Sequence, residues 1–215
     1  VSDILVVVAT NAEAARLPAL PQMRAVVSGI GAVNAALATQ AALLETPARL
    51  ALSVGIAGAY PWSGLEVGAV VAASRMTYAN LGAEDGDDFL NLETLGFPLL
   101  EPHVFNTLEA SPLALEFARR AACNHGEILT VETVTASPRS LERLQRMYPH
   151  ALIEAMEGAG VAHAAVRHGT PALEIRGISN PVLPHRDRAT WRIGAALGAL
   201  GAALERGWSA LLETP

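Results

Sequence analysis

The chain contains no lysine. All 15 of its basic residues are arginine, against 21 aspartates and glutamates and a formal net charge of -6. That absence excludes a Schiff-base lysine and a phosphate-cradling P-loop lysine. The acidic balance also lacks the basic stripe that tracks a nucleic-acid backbone. Cysteine is almost as scarce. Cys123 stands alone, so these 215 residues can form no disulfide among themselves, and a reducing, cytoplasmic setting is expected. Cys123 itself reads as a small apolar filler. No apolar run reaches the ~18 residues of a membrane span. The first residues carry Asp3 and no basic segment, so no secretory leader is read. The six histidines are scattered without metal-ligand spacing, and neither metal nor cofactor is expected.

What is present is apolar and small. Hydrophobic residues make up 51% and charged residues 17%, which describes a globular chain and not a disordered one. At roughly 100–200 residues per domain, the length suits one domain over 1–215. Short β-branched runs alternate with Ala- and Leu-rich helical stretches. Strands are expected at Ile4–Ala9, Ala25–Ser28, Leu50–Gly55, Val67–Ser74, Gly126–Val134 and Pro171–Ile178. Helices are expected at Asn11–Leu17, Ala32–Leu44, Leu113–Cys123, Ser137–Tyr148 and Thr190–Leu212. Ser137 followed by Pro138 reads as a cap and first-turn proline. Residues 79–107, with an acidic cluster at Glu84, Asp85, Asp87 and Asp88, read as a lid-like excursion. Alternation of this kind defines an α/β fold, a three-layer sandwich around a mixed, mostly parallel sheet.

In open α/β sheets, ligands bind beyond the carboxyl ends of strands. That rule selects Thr10 and Glu13; Gly55, Ile56, Ala57 and Gly58; Thr133, Val134 and Thr135; Met156 and Glu157; and Ser179 with Asn180. Glu13 and Glu157 could thus share a pocket with the amide of Asn180. Each also has a plainer reading. Both glutamates suit first turns of helices, Asn180 suits a turn before Pro181, and the glycines suit turns. Other readings fail on spacing. Gly29-Ile30-Gly31 opens like a dinucleotide fingerprint, but Asn34 holds the place of the third glycine. The acidic cluster lacks calcium-loop spacing, and Ser53 lacks a nucleophile elbow.

Four segments in order carry a resemblance: Ser28 to Ala36, Ser53 to Gly58, Glu154-Ala155-Met156-Glu157-Gly158-Ala159, and Ile175-Arg176-Gly177-Ile178-Ser179-Asn180. Together they resemble the purine nucleoside phosphorylase and methylthioadenosine nucleosidase superfamily over nearly the whole chain. Within it the chain is similar to the futalosine hydrolases. That likeness lies in Ala9-Thr10 with Glu13, in Leu81 to Asp85, and in Ser179-Asn180 followed by Arg186, Asp187, Arg188 and Trp191. The resemblance implies a partly barrel-like sheet and hydrolysis of the N-glycosidic bond of futalosine with release of hypoxanthine. It implies a small-molecule nucleoside substrate, no nucleic acid, no membrane, and a homo-oligomer, at least a dimer.

It also implies roles. Glu157 would hold the ribose hydroxyls and stabilise the oxocarbenium-like transition state, with Met156 beneath the sugar. Glu13 would be the general base on water. Asn180 stands where methylthioadenosine nucleosidases carry Asp. An amide can donate to O6 and accept from a protonated N7, which suits a 6-oxopurine and leaves an adenine amino group without a proper acceptor. Arg176 and Ser179 would support that segment. Two other readings stay open: another purine nucleosidase or phosphorylase, and a non-catalytic nucleoside-binding domain of the same fold.

Overall fold

The computed structural model describes residues 3–86, 88–185 and 187–213. Asp87 of the acidic cluster and Arg186 of the resemblance lie outside the described residues. Among the described residues, ten strands run in chain order: β1 (Asp3–Val8), β2 (Met23–Val27), β3 (Ala48–Ala59), β4 (Val70–Tyr78), β5 (Gly82–Asp85), β6 (Asp88–Asn91), β7 (Thr107–Glu109), β8 (Asn124–Thr130), β9 (Ala151–Ala155) and β10 (Ala172–Pro181). Between them lie α1 (Asn11–Ala14), α2 (Ala32–Glu45), α3 (Leu92–Leu95), α4 (Leu113–Ala121), α5 (Pro138–Met147), α6 (Gly158–Arg167) and α7 (Ile193–Leu212).

Alternation along β1 produces the layers. Ile4, Val6 and Val8 pack with α4 and α7 on one face of the sheet. Leu5 and Val7 pack with α2 and α6 on the other. Five strand pairs are parallel and three antiparallel, so the sheet is mixed and mostly parallel as expected. Pairing in the order β3, β9, β8, β4, β10 returns to β3 and closes a five-stranded ring. β1 and β2 extend the sheet from β3, and β7 extends it from β4.

Several boundaries differ from the sequence expectation: β8 stops at Thr130 and not at Val134, α1 ends at Ala14 and not at Leu17, and β4 runs from Val70 to Tyr78. β3 does not stop at Gly55. It runs twelve residues to Ala59, so Gly55, Ile56, Ala57 and Gly58 lie inside a strand and not in a loop. Ser179 and Asn180 likewise lie inside β10. Neighbouring side chains fill the space over these glycines, which lets the strand continue where a glycine pair reads as a break. At the other end of the chain, α7 starts at Ile193; the residues before it form a short 3-10 turn at Arg188–Thr190. Trp191 caps that turn and lies outside α7. The 79–107 excursion is structured: β5 and β6 form a hairpin, followed by α3. Among the described residues, no helix is long and apolar enough to cross a membrane.

Candidate active site

The site lies where β3 changes neighbours. Along one edge β3 pairs with β1 through Ser53 and with β9 from Gly58. In the gap, the Ile56 N–H donates to Glu13 Oε1 at 3.3 Å. Glu13 is buried on α1, where Thr10 is the N-cap. The Thr10 N–H and hydroxyl donate to Glu13 Oε2 at 3.0 and 2.8 Å, and the Glu13 N–H returns a bond to Thr10 Oγ1 at 3.2 Å. This is a capping box, so the plain helix-acid reading of Glu13 is correct as far as it goes. The same carboxylate also faces a cavity of about 390 Å³.

That cavity is where the sequence candidates meet. Glu13, Ile56, Ala57, Gly58, Val134, Met156, Glu157, Arg176, Ser179 and Asn180 all line it. Glu157 sits just ahead of α6. Its Oε1 accepts from the Gly31 N–H at 3.1 Å, and its Oε2 pairs with Arg176 Nη1 at 3.2 Å. Arg176 is fully buried on β10. It also pairs through Nε with Glu174 Oε1 at 2.8 Å and donates through Nη2 to Ser53 Oγ at 2.9 Å. Burial alone would depress the Arg176 pKa, but Glu174, Glu157 and Glu13 together hold it above the ordinary value. Burial pushes the Glu174 carboxyl up, against the pull of Arg176. Arg176 therefore braces Glu157, and its remaining bonds go to Glu174, Ser53 and the Ile56 carbonyl at 3.5 Å, whereas the resemblance implied support for the Asn180 segment.

Ser179 does support Asn180. Its hydroxyl lies 3.1 Å from the Ala57 carbonyl and 2.8 Å from Asn180 Oδ1, while Asn180 Nδ2 donates to the Pro181 carbonyl at 3.0 Å. The amide is thus orientated by fixed neighbours. Two glycines make the room. A Cβ on Gly55 would lie 2.5 Å from Arg176 Nη1 and 2.7 Å from Glu13 Oε1. One on Gly58 would lie 2.9 Å from Val182 Cγ2 and 3.3 Å from Asn180 Nδ2. Side chains at these positions would occupy the space that Glu13, Arg176 and Asn180 require.

The structure adds residues to the site that sequence reasoning left without a role. Glu154 on β9 lines the cavity and is buried. Its Oε2 accepts from the Tyr60 hydroxyl at 3.0 Å and its Oε1 from the Thr135 N–H at 2.9 Å. Burial pushes its carboxyl above the usual range, while the bonds from Thr135 and Tyr60 pull the other way. A glutamate inside the apolar run Ala151–Ala155 was the available signal. Ile30, Val131 and Trp191 add apolar walls. None of the described residues of 79–107 lines this cavity; Asn80, Gly82, Glu84 and Phe89 instead border a neighbouring one of about 290 Å³ with Arg143, and Val134 is common to both.

A barrel-like mixed sheet with two buried glutamates and an amide at one strand crossover defines a class. The family profile of the phosphorylase superfamily matches residues 19–206, and the chain belongs to that superfamily. Within it, the chain belongs to the futalosine hydrolase family. It is 43% identical over 178 residues to the futalosine hydrolase of Streptomyces coelicolor, spanning 80% of this chain and 73% of that protein. It is 38% identical over 183 residues to that of Thermus thermophilus, spanning 83% and 78%. The solved 5'-methylthioadenosine/S-adenosylhomocysteine nucleosidase of Neisseria meningitidis, in complex with methylthio-immucillin-A, shares the fold. It superposes with a TM-score of 0.81 over 98% of this chain and 100% of that one, at 19% identity.

Proposed function

We propose that the chain is an N-glycosyl hydrolase that cleaves futalosine to hypoxanthine and dehypoxanthine futalosine, a step of the futalosine route to menaquinone. The observation that carries this reading is the convergence of Glu13, Glu157 and Asn180 on one cavity in a member of the futalosine hydrolase family. Bond cleavage develops positive charge on the ribose and negative charge on the departing base. Glu157, its oxygens held by the Gly31 N–H and Arg176, stabilises the sugar cation and takes the ribose hydroxyls. Met156 lies beside it under the sugar. Glu13 removes a proton from the attacking water; three donors aim its carboxylate into the cavity. Asn180 meets O6 and N7 of the leaving base, with Ser179 fixing which end of the amide faces which way. Ile56, Ala57, Gly58 and Val134 form the walls of the base site.

Water is favoured over phosphate by charge. Among the described residues lining the cavity, Arg176 is the sole cation, and Glu157 and Glu174 already neutralise it. A phosphate dianion beside Glu13 would meet a carboxylate and, among the described lining residues, no guanidinium free of a carboxylate partner. The reading needs no metal or cofactor, and we take 1–215 as one catalytic unit. It places the chain in the cytoplasm as a homo-oligomer. The apolar, exposed side of α2 supports self-association: Val33 and Leu37 are 69% and 61% exposed, and the adjoining Ile30, 59% exposed, also lines the cavity.

The test is a substrate panel followed by chromatography. Futalosine, inosine and methylthioadenosine are incubated with the protein, and the free base is measured. Hypoxanthine from futalosine, with little base from the other two, is expected. Adenine from methylthioadenosine as the main product would overturn the assignment.

A further inference from the structure

We infer that Glu154 reads the base together with Asn180, accepting the N1–H of a 6-oxopurine. This rests on the hydrolase reading and names the group that sets its base specificity. The argument starts from register. On adjacent strands Glu154 is opposite Gly58, and Gly58 is opposite Asn180, so the three residues form one row across β9, β3 and β10. The middle residue has no side chain. Asn180 Nδ2 and Glu154 Cγ lie 3.3 and 3.7 Å from where a Gly58 Cβ would stand, so amide and carboxylate share the space above that glycine. Both line the same cavity.

The second step is polarity. The segment after β8 passes the cavity at Val131 and Val134. Its backbone donor at Thr135 would suit a base whose ring nitrogen accepts, as adenine N1 does. Here that N–H is taken by Glu154 Oε1 at 2.9 Å. The wall therefore presents a carboxylate acceptor in place of a backbone donor. Tyr60 holds the other oxygen at 3.0 Å, and each carboxylate oxygen retains a lone pair. A hypoxanthine edge runs N7, O6, N1–H; an amide that spans the first two leaves N1–H for a neighbouring acceptor. An adenine edge turned the same way sets the N1 lone pair against a carboxylate lone pair with no proton between them, and leaves N1 unpaired.

The test measures binding of free bases by calorimetry, so it does not depend on turnover. Hypoxanthine, 1-methylhypoxanthine and adenine are titrated into the wild-type protein and into Glu154→Leu. The wild type should bind hypoxanthine at least about 10- to 100-fold more tightly than adenine, the range expected for a hydrogen bond to a charged group. It should discriminate equally strongly against 1-methylhypoxanthine. In Glu154→Leu, the hypoxanthine-to-adenine ratio should fall by about the same factor, because the acceptor is gone and the Thr135 donor is released. Damage to the fold would weaken all bases together and leave the ratio standing. An unchanged ratio in a folded variant, or wild-type binding of 1-methylhypoxanthine as tight as hypoxanthine, would overturn the inference. Failure of the hydrolase reading would instead show as hypoxanthine binding without base release from futalosine.

Discussion

The two ends of the cavity hold their carboxylates in different ways. At the end proposed for sugar and water, charge is met by charge or by several donors. Glu157 pairs with Arg176, which also pairs with Glu174, and Glu13 takes two bonds from Thr10 and one from Ile56. At the end proposed for the base, Glu154 has only neutral partners, Tyr60 and Thr135, and burial pushes its carboxyl up. The first arrangement fixes carboxylates by a cation or by several donors where positive charge must form. The second leaves a carboxylate with capacity for one more donor, which the base can supply. The same residue type thus serves transition-state charge at one end and recognition at the other, and the partners decide which.

The comparison can be broken most severely at Glu13. Glu13→Gln retains the shape but cannot take a proton. Its turnover should fall about 10²- to 10⁴-fold in steady-state assays while thermal unfolding remains cooperative. Arg176→Met removes the shared cation and strands Glu157 and Glu174 in the interior. Urea unfolding should show a loss of about 3–5 kcal/mol; a change near zero would mean the pairs do not hold the sugar end. The glycines sharpen the contrast between the ends. Gly55→Ala drives a Cβ onto Arg176 and Glu13, and should cost about 100-fold in kcat. Gly58→Ala presses on Val182 and Asn180, and should cost about tenfold, seen in the ratio of base affinities more than in kcat. Asn180→Asp should then move preference toward aminopurine nucleosides, since a carboxyl can both donate and accept; identical relative rates would remove the amide from base selection.

The smallest expected effect is a pH dependence. Because the Glu154 carboxyl is held above its ordinary value, the folded protein keeps this proton after the unfolded chain has lost it. That contribution to stability is fully present below the unfolded carboxylate pKa of about 4.3 and is lost as pH rises through the folded value. Glu154→Gln carries no such proton. Urea melts at about pH 4 and about pH 8 should therefore shift in the variant's favour at the higher pH. A pH-independent difference would place the Glu154 carboxyl in an ordinary environment.

Much of the site was legible because its residues fall where strands end. Glu13 and Asn180 follow segments read as strands, Glu157 follows a short extended piece at Leu152-Ile153, and the rule about carboxyl ends brought the three together before any coordinate did. The structure moved two of these segments from loops into strands. Gly55 and Gly58 read as breaks because glycine usually is one; here each is a strand position left empty for a neighbour's side chain, a reason visible only in three dimensions. Glu154 was read as part of a motif and given no task, since strand alternation says which face a residue takes and not what that face meets. The partners of Arg176 were hidden for a similar reason: Glu174, two positions earlier on β10, and Glu157, far off in sequence, both reach its guanidinium. The closed ring of strands was implied by resemblance alone, because the β10–β3 pairing joins residues more than a hundred positions apart.

The most direct test follows the sugar product by mass spectrometry after futalosine is turned over in phosphate-free buffer and again with added phosphate. Release of hypoxanthine at the same rate in both, with the free sugar as co-product, is the result expected if Glu13 activates water. Release only with phosphate, accompanied by a sugar 1-phosphate, would contradict it.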